Sequence, residues 1–329
     1  MIVQGTKASL EVQRTFDRRT ATALLGLGVL FSGKARGAPA VEFTSASRLT
    51  PLEEQHYTPP TSLREVSDIY HRMTTPVRID GKGPFAFIVD TGANQTVIST
   101  ELAQQLGLPV GPSGPLNGIA GVQIASTTVA TLEIGGAVRP DITMSLLSAA
   151  GIGAAGMLGL DGLEGKRITL DFRSQSLRIE DAGRIFRNAN EVTVKARCRD
   201  GQLTLVDADL DEIPITAFLD SGAQNTIGNL ALLALALRRR SAGEWTRIPL
   251  LSATGQTISA QIADLPHLRV ASLLLPSWPV AFADLHTFRL WKLVDKPAIL
   301  LGVDVLSRFQ YVCLDFARSE VRFRAPEPT

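Results

Sequence analysis

Phe87-Ile88-Val89-Asp90-Thr91-Gly92-Ala93 and Ala217-Phe218-Leu219-Asp220-Ser221-Gly222-Ala223 are nearly the same sentence written twice, 220 − 90 = 130 residues apart. Each is an apolar run of strand character that ends in an aspartate, followed by a hydroxyl residue and Gly-Ala. A carboxylate at the end of a buried strand is costly when isolated, because an unpaired charge loses its hydration. The same arrangement twice, at about the spacing of a small domain, implies that the two aspartates meet.

The surroundings of each aspartate repeat in the same order. In copy one, Val77-Arg78-Ile79-Asp80 alternates as a strand, Gly81-Lys82-Gly83-Pro84 reads as its turn, and Phe85 to Val89 delivers Asp90. Thr96 to Ser99 continues as strand and Glu101 to Leu106 as a short helix stopped by Gly107. A glycine-rich stretch, Gly111 to Gly121, precedes a strand from Val122 to Leu132. Ala150 to Gly156 read as small and flexible, before Met157-Leu158-Gly159-Leu160-Asp161 and the strand Arg167 to Phe172. In copy two, strands at Glu191–Ala196 and Gln202–Val206 lead to Ile215–Leu219, which delivers Asp220. A helix over Leu230–Leu237, a turn at Ser252–Gln256, Leu300-Leu301-Gly302-Val303-Asp304 and the strand Tyr311–Phe316 complete the order.

Composition sets the class. The chain has 329 residues, 45% apolar and 20% charged, with a net charge of +1. Such a balance gives no field for nucleic acid or a membrane surface, so neither is expected as a partner. The 28 glycines and the scarcity of helical periods point to a β-rich fold. Near the N-terminus, Arg18-Arg19 precede the apolar run Ala21 to Phe31 and then Ala38-Pro39-Ala40. These are the parts of an export signal over residues 1–40, the twin arginine pointing to the folded-protein export route, with an uncleaved anchor or a tail as the alternatives. Export makes a periplasmic or secreted location the expectation, with no stable membrane span in the mature chain. Residues 41–73, with Pro51, Pro59 and Pro60, read as a linker or pro-like arm holding one short helix at Leu63–Tyr70.

On Asp90-Thr91-Gly92-Ala93, Asp220-Ser221-Gly222-Ala223 and the later Leu158-Gly159 and Leu301-Gly302, the chain resembles the retropepsin-like and pepsin-like aspartic proteases. The resemblance covers about residues 76–324, and exported bacterial proteins of this kind are the nearest type. It implies an all-β fold of two retropepsin-like barrel lobes, 74–186 and 187–329, related by a pseudo-two-fold, with short helices. It also implies a monomer acting as an internal pseudo-dimer. Asp90 and Asp220 would be catalytic. Thr91, Gly92, Ser221 and Gly222 would brace the two loops, the hydroxyls by cross-linking them. Ala93, Asn94, Gln95, Ala223, Gln224 and Asn225 occupy the places that grip substrate main chain; retropepsins commonly have acidic side chains where this chain has amides. Those amides either bind peptide or cap turns.

The chemistry follows from the residue types. Two carboxylates a hydrogen bond apart share one proton. One can activate water while the other protonates the scissile carbonyl, and sequence does not say which does which. The substrate would be a peptide or protein, and no cofactor or metal is called for. The four histidines lack ligand spacing, and Cys198 and Cys313 form either a disulfide or two free thiols. Lids over the cleft are expected at Gly118, Ile119, Ala120 and Gly121 in copy one and at Ala253, Thr254 and Gly255 in copy two. A peptide-binding protein without catalysis, and lobes that pair between chains, are the alternatives to an endopeptidase.

Overall fold

The computed structural model describes residues 72–162, 166–174, 176–181, 191–199, 202–205, 208–239 and 245–325, and three two-residue strands, Ala23–Leu24, Leu30–Phe31 and Leu63–Arg64. Nearly all of the expected export signal and of the arm, and the lobe boundary at residue 186, lie outside these residues; within the signal, Ala23–Leu24 pairs with Leu116–Asn117 and Leu30–Phe31 with Leu250–Leu251. The helix expected over Leu63–Tyr70 also lies outside the described residues, apart from Leu63–Arg64, which pair as a strand with Ser176–Leu177.

The first lobe is a closed barrel. Gly121–Ile134, Thr74–Ile79, Lys82–Val89, Gly156–Leu158, Val97–Ser99 and Ala137–Leu147 pair in that order, and the last returns to the first. The reason is visible in the strand that carries Asp90: Phe85, Phe87, Ile88 and Val89 are all buried, as a strand enclosed on both faces must be. In the second lobe the corresponding order is Ala208–Leu210, Thr257–Val270, Leu273–Phe282, Ile227–Gly228, Ala298–Leu301, Thr216–Leu219 and Gln202–Leu205. This barrel is nearly closed. The all-β, two-barrel class is therefore the observed one.

Each lobe caps its helix with a side chain at the same repeat position. Ser99 Oγ accepts from Leu102 N at 3.1 Å to start Thr100–Leu106, which ends at Gly107 in the left-handed region. Asn229 Oδ1 accepts from Leu232 N at 2.8 Å to start Leu230–Arg238.

The lobes are joined by a shared sheet. Lys166–Asp171 of lobe one pairs antiparallel with Tyr311–Asp315 of lobe two, with Thr169 opposite Cys313. Ser176–Asp181 flanks one side, and Glu320–Arg324 with Glu191–Arg199 extends the other.

Several local expectations need correction. The first turn is Asp80-Gly81 alone, and Lys82, Gly83 and Pro84 already belong to the next strand. Ala149–Ile152 in the supposedly flexible stretch is a helical turn, because Ser148 Oγ caps it by accepting from Gly151 N at 3.2 Å. The long strands Ala137–Leu147 and Leu273–Phe282 were not foreseen. Pro140 and Asp141 interrupt the first pattern, and Pro276 and Pro279 the second. In the first, a register shift and a positive φ at Asp141 absorb the irregularity.

Candidate active site

The paired strands bring Asp90 and Asp220 face to face at the base of the two barrels. Both are buried, at 0% and 1% exposure. Asp90 Oδ1 accepts from Gly92 N at 2.8 Å. Asp220 Oδ1 accepts from Gly222 N at 2.9 Å and Ala223 N at 3.0 Å. Among the described residues, Asp90 Oδ2 has no donor other than the facing Asp220 carboxyl. Burial, and then the charge of Asp220, hold the Asp90 carboxyl well above the usual carboxylate range; the Gly92 N–H and the charge of Arg72 pull the other way.

The glycines are obligatory for a steric reason. A Cβ on Gly92 would lie 2.5 Å from Asp220 Cγ, and one on Gly222 would lie 2.3 Å from Asp90 Cγ. Each carboxylate therefore stands over the other loop's glycine.

Beneath them the loops are cross-bonded reciprocally. Thr91 Oγ1 donates to Leu219 O at 3.0 Å and accepts from Ser221 N at 3.0 Å. Ser221 Oγ donates to Val89 O at 2.7 Å and accepts from Thr91 N at 3.2 Å. Each hydroxyl thus joins the opposite strand end, at a net worth of about 1 kcal/mol per bond.

A second tier, whose acids the motif reading passed over, braces each loop from below. Thr96 Oγ1 donates to Asp161 Oδ1 at 2.6 Å and accepts from Gly159 N at 3.1 Å. In lobe two Thr226 Oγ1 donates to Asp304 Oδ1 at 2.8 Å and accepts from Gly302 N at 3.1 Å. Asp304 also accepts from Trp278 Nε1 at 3.1 Å, and burial raises its carboxyl above the usual range. Gly159 and Gly302 lie so close to Gln95 and Asn225 that a Cβ would sit 2.6 Å from their carbonyl carbons. The signal was present: Thr follows each aspartate by six residues, and Asp follows each bracing Gly by two.

The neighbours of the motif are partly occupied. Ala93 O accepts from Leu160 N and Ala223 O from Val303 N, both at 2.8 Å. Gln95 Nε2 donates to Thr143 O at 3.1 Å. Gln224 O accepts from Asp304 N at 3.2 Å. Asn94, Gln95, Gln224 and Asn225 are half-buried, and Asn225 Nδ2 finds no partner among the described residues.

Arg72 is a further charged group that sequence did not single out. It is 2% exposed and donates from Nη2 to Ile152 O at 3.0 Å. The register pairing Thr74 with Ile88 places residue 72 across from Asp90.

The expected lid tips meet each other. A Cβ on Gly118 would lie 3.1 Å from the Thr254 side chain, and Gln123 Nε2 donates to Thr254 O at 3.3 Å. Ile119 is buried among lobe-two residues and Ala253 among lobe-one residues. Ile119 and Ala120 form the first turn, closed by the pairing of Gly118 with Gly121, and Gly255 completes the second, with Gly121 and Gly255 at positive φ.

Residues 75–161 match the family model described as aspartyl protease. The match runs from the first strand of lobe one through Asp90 and the Gly159 brace to Asp161. Over these residues lobe one is thus similar to aspartyl proteases, and the retropepsin-like reading is supported at that level. No curated protein matches the chain.

Proposed function

We propose that the protein is an aspartic endopeptidase whose two lobes each contribute one catalytic carboxylate, Asp90 and Asp220. The observation that carries this is the buried carboxyl pair, each member seated over the other loop's glycine. The hydrogen bonds divide the roles. Asp220 receives two backbone N–H groups and Asp90 one, so charge rests on Asp220 and the shared proton on Asp90.

Asp220 takes a proton from water as the water oxygen bonds to the peptide carbonyl carbon. Asp90 gives its proton to the carbonyl oxygen in the same step. When the diol collapses, the C–N bond breaks and the amine nitrogen takes the proton held by Asp220. The hydroxyl proton of the diol returns to Asp90, which restores the starting state.

The hairpin tips at Asn117–Gly121 and Ser252–Gln256 serve as the lids. Peptide main chain is held by the free lone pairs of Ala93 O and Ala223 O and by the amides of Asn94, Gln95, Gln224 and Asn225. Peptide is the substrate in keeping with the similarity to aspartyl proteases. The pairing of the lobes within one chain favours a monomer, and the Arg18-Arg19 signal pattern favours export.

The test is cleavage of an unbiased peptide library by the full chain and by Asp90→Asn and Asp220→Asn. Parent activity that both variants lose supports the mechanism. A variant that cuts like the parent sinks it. A parent that binds peptide and cuts none at any pH from acid to neutral makes the protein a peptide-binding module instead.

A further inference from the structure

The two lid tips are held in different ways. Tip one is fastened to lobe two by a histidine. His286, the first residue of the His286–Leu290 helix, donates its backbone N–H to Ile119 O at 2.7 Å. Its ring Nε2 bonds Asn117 Oδ1 at 3.0 Å. Ile119 is 1% exposed and belongs to the lobe-two cluster that contains Phe218, Phe288 and Trp291. Phe218 and Trp291 stack there with centroids 3.9 Å apart. Asn117 itself is only 7% exposed.

Tip two lacks this apparatus. It reaches lobe one with Ala253, a side chain of one carbon, packed near Ile88, Val97 and Ile152. Its polar groups mostly bond within the turn: Thr254 N donates to Ser252 Oγ at 3.1 Å, and Gly255 N to Ser252 O at 2.8 Å. Lobe one reaches this tip with one side-chain bond, Gln123 Nε2 on the Gly121–Ile134 strand donating to Thr254 O at 3.3 Å, and a Cβ on Gly151 would lie 2.5 Å from Ala253 O. An isoleucine side chain buries about three carbons more than an alanine, each worth roughly 0.8 kcal/mol. Tip one therefore has the greater apolar contact and two bonds to lobe two, against the one longer side-chain bond that tip two receives from lobe one.

Both catalytic carboxyls are buried in this arrangement, so a peptide cannot reach them until something moves. We infer that His286 is a positioning residue that latches tip one to lobe two, and that peptide is admitted when tip two, the lightly held one, lifts. This rests on the endopeptidase reading for its catalytic consequence but not for the latch itself. Burial and the neighbouring Arg289 lower the His286 pKa, which keeps the ring neutral near pH 7. Arg289 is itself paired with Asp284, and Asn117 across the contact carries no charge.

Amide hydrogen exchange on the full chain tests this directly. The parent is expected to exchange faster over 252–256 than over 116–120. His286→Ala, which keeps the backbone bond but removes the ring bond, is expected to speed exchange at 116–120 about 2- to 10-fold, the equivalent of one neutral hydrogen bond. Exchange at 252–256 stays as in the parent. His286→Gln, whose amide reaches where Nε2 does, restores protection, and Asn117→Ala reproduces His286→Ala without further loss in the double variant. In turnover the latch variant raises KM more than it lowers kcat. A Gly118→Cys/Thr254→Cys disulfide between the tips stops cleavage until it is reduced. Unchanged exchange at 116–120 in His286→Ala, or parental exchange faster there than at 252–256, overturns the latch. Full turnover by the cross-linked protein overturns tip lifting. A parent without peptidase activity removes the protease reading and leaves the exchange result to decide the latch alone.

Discussion

The aspartate loops of the two lobes repeat almost bond for bond, whereas the hairpin tips at Asn117–Gly121 and Ser252–Gln256 do not. Thr91 and Ser221 trade the same pair of bonds across the seam, and Thr96 and Thr226 make the same bonds to Asp161 and Asp304. At the tips, Ile119 and the two His286 bonds on one side have Ala253 and the one Gln123 bond as their counterparts on the other. Where two carboxyls must share one proton, symmetry keeps their environments nearly equal and lets small differences place the charge. Where a peptide must enter, symmetry brings no advantage, and one lid can be fixed while the other works.

The largest effect should come from the pair itself. Asp90→Asn and Asp220→Asn are each expected to lower kcat by about 10³-fold or more, read with any peptide the parent cleaves. Their stabilities should differ from the parent in a pH-dependent way. The folded pKa of Asp90 lies above its unfolded value, so the native state gains stability as pH falls through that raised value and loses it as pH rises. Asp90→Asn should therefore melt higher than the parent near neutral pH, and its melting temperature should vary less between acid and neutral pH. A parent that is equally stable across that range would show that no proton is held there.

Next in size is Gly222→Ala, whose methyl must displace the Asp90 carboxyl. About 10²-fold loss of kcat is expected from displacement of this order, and Gly92→Ala should match it if the loops are equivalent. Smaller again are Thr91→Val and Ser221→Ala, each expected to cost about 1–3 kcal/mol in denaturant unfolding. The double variant should cost less than their sum, because the four bonds form one network. The smallest is Trp278→Phe, which removes one bond to Asp304 for about 0.5–1.5 kcal/mol. Pairing of Val97 with Ser145 and of Ile227 with Ala281 puts Ile142 at the matching place in lobe one. Ile142→Val there should change stability by about 0.5–1.5 kcal/mol through packing alone.

Much of this was legible because it is local. Asp90, Thr91 and Gly92 lie within three residues, and the repeat at Asp220 doubles the signal. The second tier was harder, since Asp161 meets Thr96 across 65 residues and Asp304 meets Thr226 across 78. Arg72 was hidden for a different reason. It stands at the edge of a proline-rich segment, and only the strand register shows what it faces. The strand Ala137–Leu147 went unseen because Pro140 and the positive φ of Asp141 break its alternation, a defect that the neighbouring Gly121–Ile134 strand repairs from outside. His286 has no motif at all, since its partner on the other lobe is 169 residues away.

The seam between the lobes offers one more consequence. Thr169 and Cys313 face each other at the middle of the joining strands, so the pseudo-two-fold axis passes between them. Cys313 is a free, buried thiol, and burial pushes its pKa up. A protonated, enclosed thiol reacts slowly. In a Cys198→Ser background, its rate of alkylation becomes a clock for how often the two halves of the molecule part company.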